Sequence, residues 1–152
     1  MNENWTKWII ASLSRYFEQG LSPIKVYLEG QRRDTTKEES YVELRITDFN
    51  TLEASKNYFY IVADIDILCV CVKNSNIYTI PALLGKVVTL ANNSIEVYKY
   101  GEESADLLGC LRLIPSARGG DMVKVTNYGQ VAPSIDILQS TVAASYQIEL
   151  ES

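Results

Sequence analysis

The stretch YFYIVADIDILCVCV, Tyr58 to Val72, constrains the fold more than any other part of the chain. Read with the two-residue period of a strand, its odd positions are Phe59, Ile61, Ala63, Ile65, Ile67, Cys69 and Cys71, all apolar. Its even positions begin with Tyr58, Tyr60 and Val62, pass through Asp64 and Asp66, and return to Leu68, Val70 and Val72. One face belongs to a core. The other holds two neighbouring carboxylates between apolar ends. A metal site, a solvated sheet face and a surface made for other subunits would each place charges there.

The segments around it carry their own periodicities. Trp5, Trp8, Ile9, Leu13, Tyr16 and Phe17 recur at helical spacing, with Asn2 or Asn4 to cap the start and Gly20 and Pro23 to end the helix. IKVYLEG reads as a strand, and the polar run Gly30–Ser40 as an exposed loop. YVELRITDF alternates, with Tyr41, Glu43, Arg45 and Thr47 on one side and Val42, Leu44, Ile46 and Asp48 on the other. NTLEASKN is expected to connect this strand to the long one.

After Asn74–Asn76 a second helix is expected, buried through Ile80, Leu84, Val87, Val88 and Ala91, with Pro81 in its first turn. Strands follow in IEVYKY, LLGCLRLI, MVKVTNYG and STVAASYQIEL. The order α-β-β-β-α-β-β-β-β predicts an α+β fold. Its sheet is antiparallel or mixed, and the N-terminal and mid-chain helices pack against it. The 152 residues fit a single domain, 1–152.

Several function classes are disfavoured by what the chain holds. It has no histidine, which removes Ser-His-Asp and Cys-His nucleophile pairs and imidazole-based zinc sites. Its net charge is −5, and the adjacent Arg32–Arg33 pair is soon followed by Asp34, Glu38 and Glu39. No basic stripe is present to drive specific nucleic-acid binding. The three cysteines, Cys69, Cys71 and Cys110, lack metal-type spacing and read as small buried hydrophobes in a reducing compartment. No run is long and apolar enough to span a membrane. The start MNENWTKWII lacks the features of a signal peptide, so synthesis in the cytosol is expected.

The strongest catalytic-looking feature is Asp64-Ile-Asp66, because carboxylates two apart on a strand can share a divalent cation. Such sites need further carboxylates, and the sequence does not place Glu43, Asp48 or Glu96 beside them. The apolar flanks of this face argue instead for an interaction surface whose middle opens to water. Trp5 and Trp8 on one turn, with Tyr58 and Tyr60, supply aromatic anchors of the kind that subunit interfaces use. Packing on the chain's own sheet is the other reading for the tryptophans. Arg32 and Arg33 would pair with carboxylates of a neighbouring subunit or partner.

The run NENWTKWIIASLSRYFEQGL, with IKVYLEGQRRDT, YVELRITDF, YKYG…LLGCLRL and NYGQVAPSIDILQSTVAASYQIEL, resembles the neck and tail-completion proteins of long-tailed bacteriophages. The tail terminator is the nearest type. The resemblance implies a homo-oligomeric ring, usually a hexamer, that caps the tail tube and meets neck proteins. It implies a virion protein assembled in the host cytoplasm, not an enzyme, with no cofactor. DNA would only pass through, and an acidic protein suits a conduit that should not grip it. Asp64 and Asp66 would face the lumen or solvent. A head–tail connector or stopper ring is the alternative in the same class. A divalent-metal enzyme using Asp64 and Asp66 is the alternative outside it.

Overall fold

A computed structural model describes residues 3–31, 39–71, 78–101, 106–116, 119–130 and 137–151. The observed order is α1 (Trp5–Leu21), β1 (Lys25–Leu28), β2 (Ser40–Ser55), β3 (Tyr58–Cys71), α2 (Thr79–Ala91), β4 (Ile95–Tyr98), β5 (Leu107–Ile114), β6 (Val123–Gln130) and β7 (Leu138–Glu151). The strands form one seven-stranded mixed sheet with the path β1-β2-β3-β7-β5-β4, and β6 pairs with β7 beside β5. Only β1 and β2 run parallel; the other strand pairs are antiparallel. The fold is α+β, with both helices packed on this sheet.

The long strand is the spine. Every residue of β3 is matched to β7, from Tyr58 opposite Glu151 to Cys71 opposite Leu138. Its odd positions from Ile61 to Cys71 are at most 1% exposed. Ile61, Ile65, Ile67 and Cys69 join Val142, Tyr146 and Ile148 of β7 with Ile9, Leu13 and Phe17 of α1 and Leu83 and Val87 of α2 in one core. Burial of this size on one sheet face is the main stabilising term, at roughly 25 cal/mol per Å² of apolar surface removed from water.

The helices are tied to strands by buried polar contacts as well as by packing. Tyr146, fully buried, donates its hydroxyl to the carbonyl of Ala91 at the end of α2 (2.6 Å). Ser12 of α1, 2% exposed, accepts the backbone N–H of Tyr98 (3.0 Å). Trp8 donates its indole N–H to the Tyr100 carbonyl (3.0 Å). α1 runs one residue past Gly20, which lies where a side chain would meet Leu90 of α2 at 2.6 Å. Gly20 thus lets the two helices approach; it does not end the first. α2 buries Ile80, Leu83, Val87 and Ala91, while Leu84 and Val88 pack on the core half-buried.

One element differs from the sequence expectation. NTLEASKN is mostly strand: β2 continues to Ser55, and only Lys56 and Asn57 turn into β3. The pairing slips between Ile46 and Asp48, so Thr47 is an extra residue in the strand. A bulge of this kind reverses which face each later residue occupies. Asp48 therefore leaves the side of Val42, Leu44 and Ile46 and stands directly opposite Asp64.

Candidate functional site

The face of the sheet away from the helices carries the residues that the sequence singled out. Across it the register sets Asp48 beside Asp64 and Asp64 beside Ser145. One pair along, Arg45 lies beside Asp66, Asp66 beside Ala143 and Ala143 beside Lys124. Ser145, 6% exposed, donates its hydroxyl to Asp64 Oδ1 (2.5 Å). Thr47, displaced by the bulge, donates to the Asp64 carbonyl (3.1 Å). The turn between β5 and β6 brings Ser116, Gly119 and Asp121 against this face and walls a groove of about 470 Å³.

Among the described residues, charge there is mixed but mainly negative: Asp48, Asp64, Asp66 and Asp121 line the groove with one cation, Lys124. Arg45 spends its Nε on Glu43 (2.7 Å), a carboxylate buried on the same face. Like charges placed directly opposite on neighbouring strands repel, so Asp48 and Asp64 need water between or around them. Asp64 and Asp66 are half-buried and Asp48 is exposed, which provides that water. Among the described residues, no three His, Cys, Asp or Glu side chains are grouped to hold a metal ion.

The two ends of this face differ. Leu68 and Val70 are 6% and 5% exposed and form a small second cluster with Tyr41, joined by Tyr27 and Ile137. At the other end Tyr58 is 43% exposed. Tyr60 lines a neighbouring groove of about 460 Å³ with Arg112, Gln147 and Glu149. The aspartates therefore lie between a covered aliphatic end and an open aromatic end.

The expected anchors fall in different places. Trp8 is 3% exposed and belongs to the chain's own core, so it offers no surface to a neighbour. Trp5 is half-buried and packs edge-on against Phe49, with ring centroids 5.3 Å apart. Tyr58 and Tyr60 share the open sheet face, far along β3 from the covered end. Arg32 and Arg33, and most of the loop they occupy, lie outside the described residues.

Sequence reasoning did not place Asp48, Asp121, Lys124 or Ser145 beside the aspartate pair. One signal was present for Asp48. The apolar phase of β2 runs Val42, Leu44, Ile46 and then Phe49, a slip of one position that marks the bulge.

Among the described residues, no helix is long and apolar enough to cross a membrane. No protein-family model matches the sequence, and no curated protein matches it. Twelve chains of solved structures match its fold. One of them covers 100% of this chain and 96% of its own length, with a TM-score of 0.51 and 11% identity. At that identity the likeness concerns the fold alone.

Proposed function

We propose that this chain is a structural virion protein of the tail-terminator type, forming a homo-oligomeric ring that caps a phage tail tube and joins it to the neck. The observation that carries this reading is the two-sided sheet. One face is sealed by two helices. The other is covered at its Leu68–Val70 end and open beyond it, where Asp48, Asp64, Asp66 and Asp121 line a groove with Lys124. A surface that lines a DNA conduit must be hydrated and must repel phosphate, and carboxylates held on a rigid sheet supply both. The resemblance of the sequence to neck and tail-completion proteins supports the same reading. A connector or stopper ring would use the same surface, and its neighbours would tell the two apart.

Native mass spectrometry with negative-stain imaging of the purified protein tests the proposal. Closed rings of one defined mass are expected, and they should attach to the ends of purified tail tubes. A strictly monomeric protein that binds a divalent cation tightly through Asp64 and Asp66 would overturn it in favour of the enzyme reading.

A further inference from the structure

The outer strand margins of the sheet are treated differently. At β1, the outward N–H of Leu28 donates to Gln31 Oε1 (3.1 Å), and the Leu28 carbonyl accepts from Gln31 N–H (3.0 Å). At β4, the Tyr98 N–H is taken by Ser12 of α1. Two long margins remain open among the described residues. β1 matches only Tyr41–Leu44 of β2, so β2 from Arg45 to Ser55 is paired on one side alone, with β3. β6 is likewise paired on one side alone, with β7. A long unpaired strand margin is a template for another strand, and chains usually blunt such margins as β1 and β4 are blunted here.

The open margins lie on opposite sides of the same sheet and complement each other. Exposed apolar side chains gather on them: Leu52 (57%) on β2, Val125 (46%) on β6, and Met122 (45%) just before it. Charge matches at the middle of the margins, where β6 presents Lys124 and the open part of β2 presents Asp48, both exposed; at their end Asp121, just before β6, and Glu53 of β2 carry the same sign. β2, β3, β7 and β6 are successive antiparallel neighbours. The fourth therefore runs opposite to the first, and a copy rotated into place beside this one meets β6 with an antiparallel β2.

We infer that β6 of one subunit pairs with β2 of the next, between Arg45 and Ser55, so that a single antiparallel sheet runs around the ring with the Asp64 face lining its lumen. This inference rests on the ring reading and names its joint. Setting Val125 beside the neighbour's Phe49 places Met122 beside Leu52 and Thr126 beside Asp48, with Lys124 diagonal to Asp48. The faces agree. Val125 and Phe49 both lie on the helix side, level with Val142 and Ala63, and Lys124 and Asp48 both lie on the open side.

The geometry of closure agrees too. Within one subunit Val125 is level with Leu44, through Val142 and Ile67. Pairing it with the next Phe49 is a stagger of about four residues once the bulge is allowed for. At ~3.3 Å per residue and ~4.8 Å between strands, that stagger over four strands is a tilt of about 35°, inside the range closed barrels require. The helices need the wider circumference, so they lie outside and the acidic face lies inside. A head-to-tail joint of this kind gives every subunit the same polarity, which a ring between two different partners requires.

Disulfide trapping of Leu52→Cys with Met122→Cys, in a Cys110→Ser background, tests the joint. Within one chain the two positions lie three strand spacings and about four residues apart, roughly 20 Å along the sheet, beyond the reach of a disulfide. Mild oxidation should give a covalent ladder that climbs past the dimer to the mass of the native ring and collapses on reduction. Each single variant should give none. Native rings without a ladder, or dimers from a single variant, would overturn the joint and leave the ring reading standing. A ladder without a closed ring of fixed mass would keep the joint and remove the ring. A monomer with no ladder would overturn both.

Discussion

Cys69 shows how a single side chain reports its surroundings. It is fully buried on the helix side of β3, and burial raises its thiol from the ordinary 9.0 to about 12. The thiolate is the reactive form, so Cys69 should resist thiol reagents in the native protein. Cys110, half-buried on β5, should be the thiol modified first, and Cys69 should react only when the chain unfolds. Burial favours the neutral thiol, so the folded state loses stability as pH rises. The loss begins near 9, where the unfolded chain ionises, and grows through about 12. Urea midpoints measured between pH 8 and 10.5 should fall more steeply for the wild type than for Cys69→Ala. Equal slopes would show that another group governs the alkaline limb. Asp64 is placed differently: it is half-buried on the other face of β3 and accepts the Ser145 hydroxyl.

Among elements, α2 is tied to β7 by a buried polar contact. Tyr146→Phe removes the hydroxyl that Ala91's carbonyl accepts, deep in the core. Leaving that carbonyl without its donor should cost about 1–3 kcal/mol of stability, seen as a lower urea midpoint with an unchanged slope. A change within error would mean that Asn92 and the end of α2 take over the contact. The element order itself was legible, because each segment carries a clean period: helical in α1 and α2, alternating in the strands. The extent of β2 was not. Asn50–Ser55 is polar and low in strand propensity, and it is held as strand by its pairing with Tyr58–Val62. The position of Asp48 was hidden for a related reason, since one extra residue at Thr47 reverses the face of everything after it. The aspartate pair and its face were readable from period two. Lys124 and Ser145 were not, because they reach that face through strand order, a long-range property that no local pattern encodes. Trp8 carried the same ambiguity: helical spacing identifies a buried face without saying whether the cover is the chain's own sheet or a neighbour.

For the whole molecule, the distribution of charge decides whether the open face serves as a conduit or a catalyst. Double replacement Asp64→Asn and Asp66→Asn keeps the shape of both side chains and removes both charges. It ends the opposition of Asp48 and Asp64 and also the attraction of Asp66 to Arg45 beside it, so the isolated subunit should keep the wild-type stability to within about 1 kcal/mol. Under the conduit reading the subunits still assemble, because the proposed joint uses strand margins and not this part of the face. What changes is the potential seen by passing phosphate. A less negative lumen should hold DNA longer, and the effect should fade as added salt shortens the reach of the charges to ~8 Å and below. The measurement is ring mass together with DNA retention on assembled rings, compared across ionic strength. Rings of unchanged mass that retain DNA at low salt and release it at high salt are the expected result. Loss of ring formation would place the two aspartates in the joint. A tight divalent-cation site seen by calorimetry in the wild type and absent from the double variant would place them in a catalytic centre.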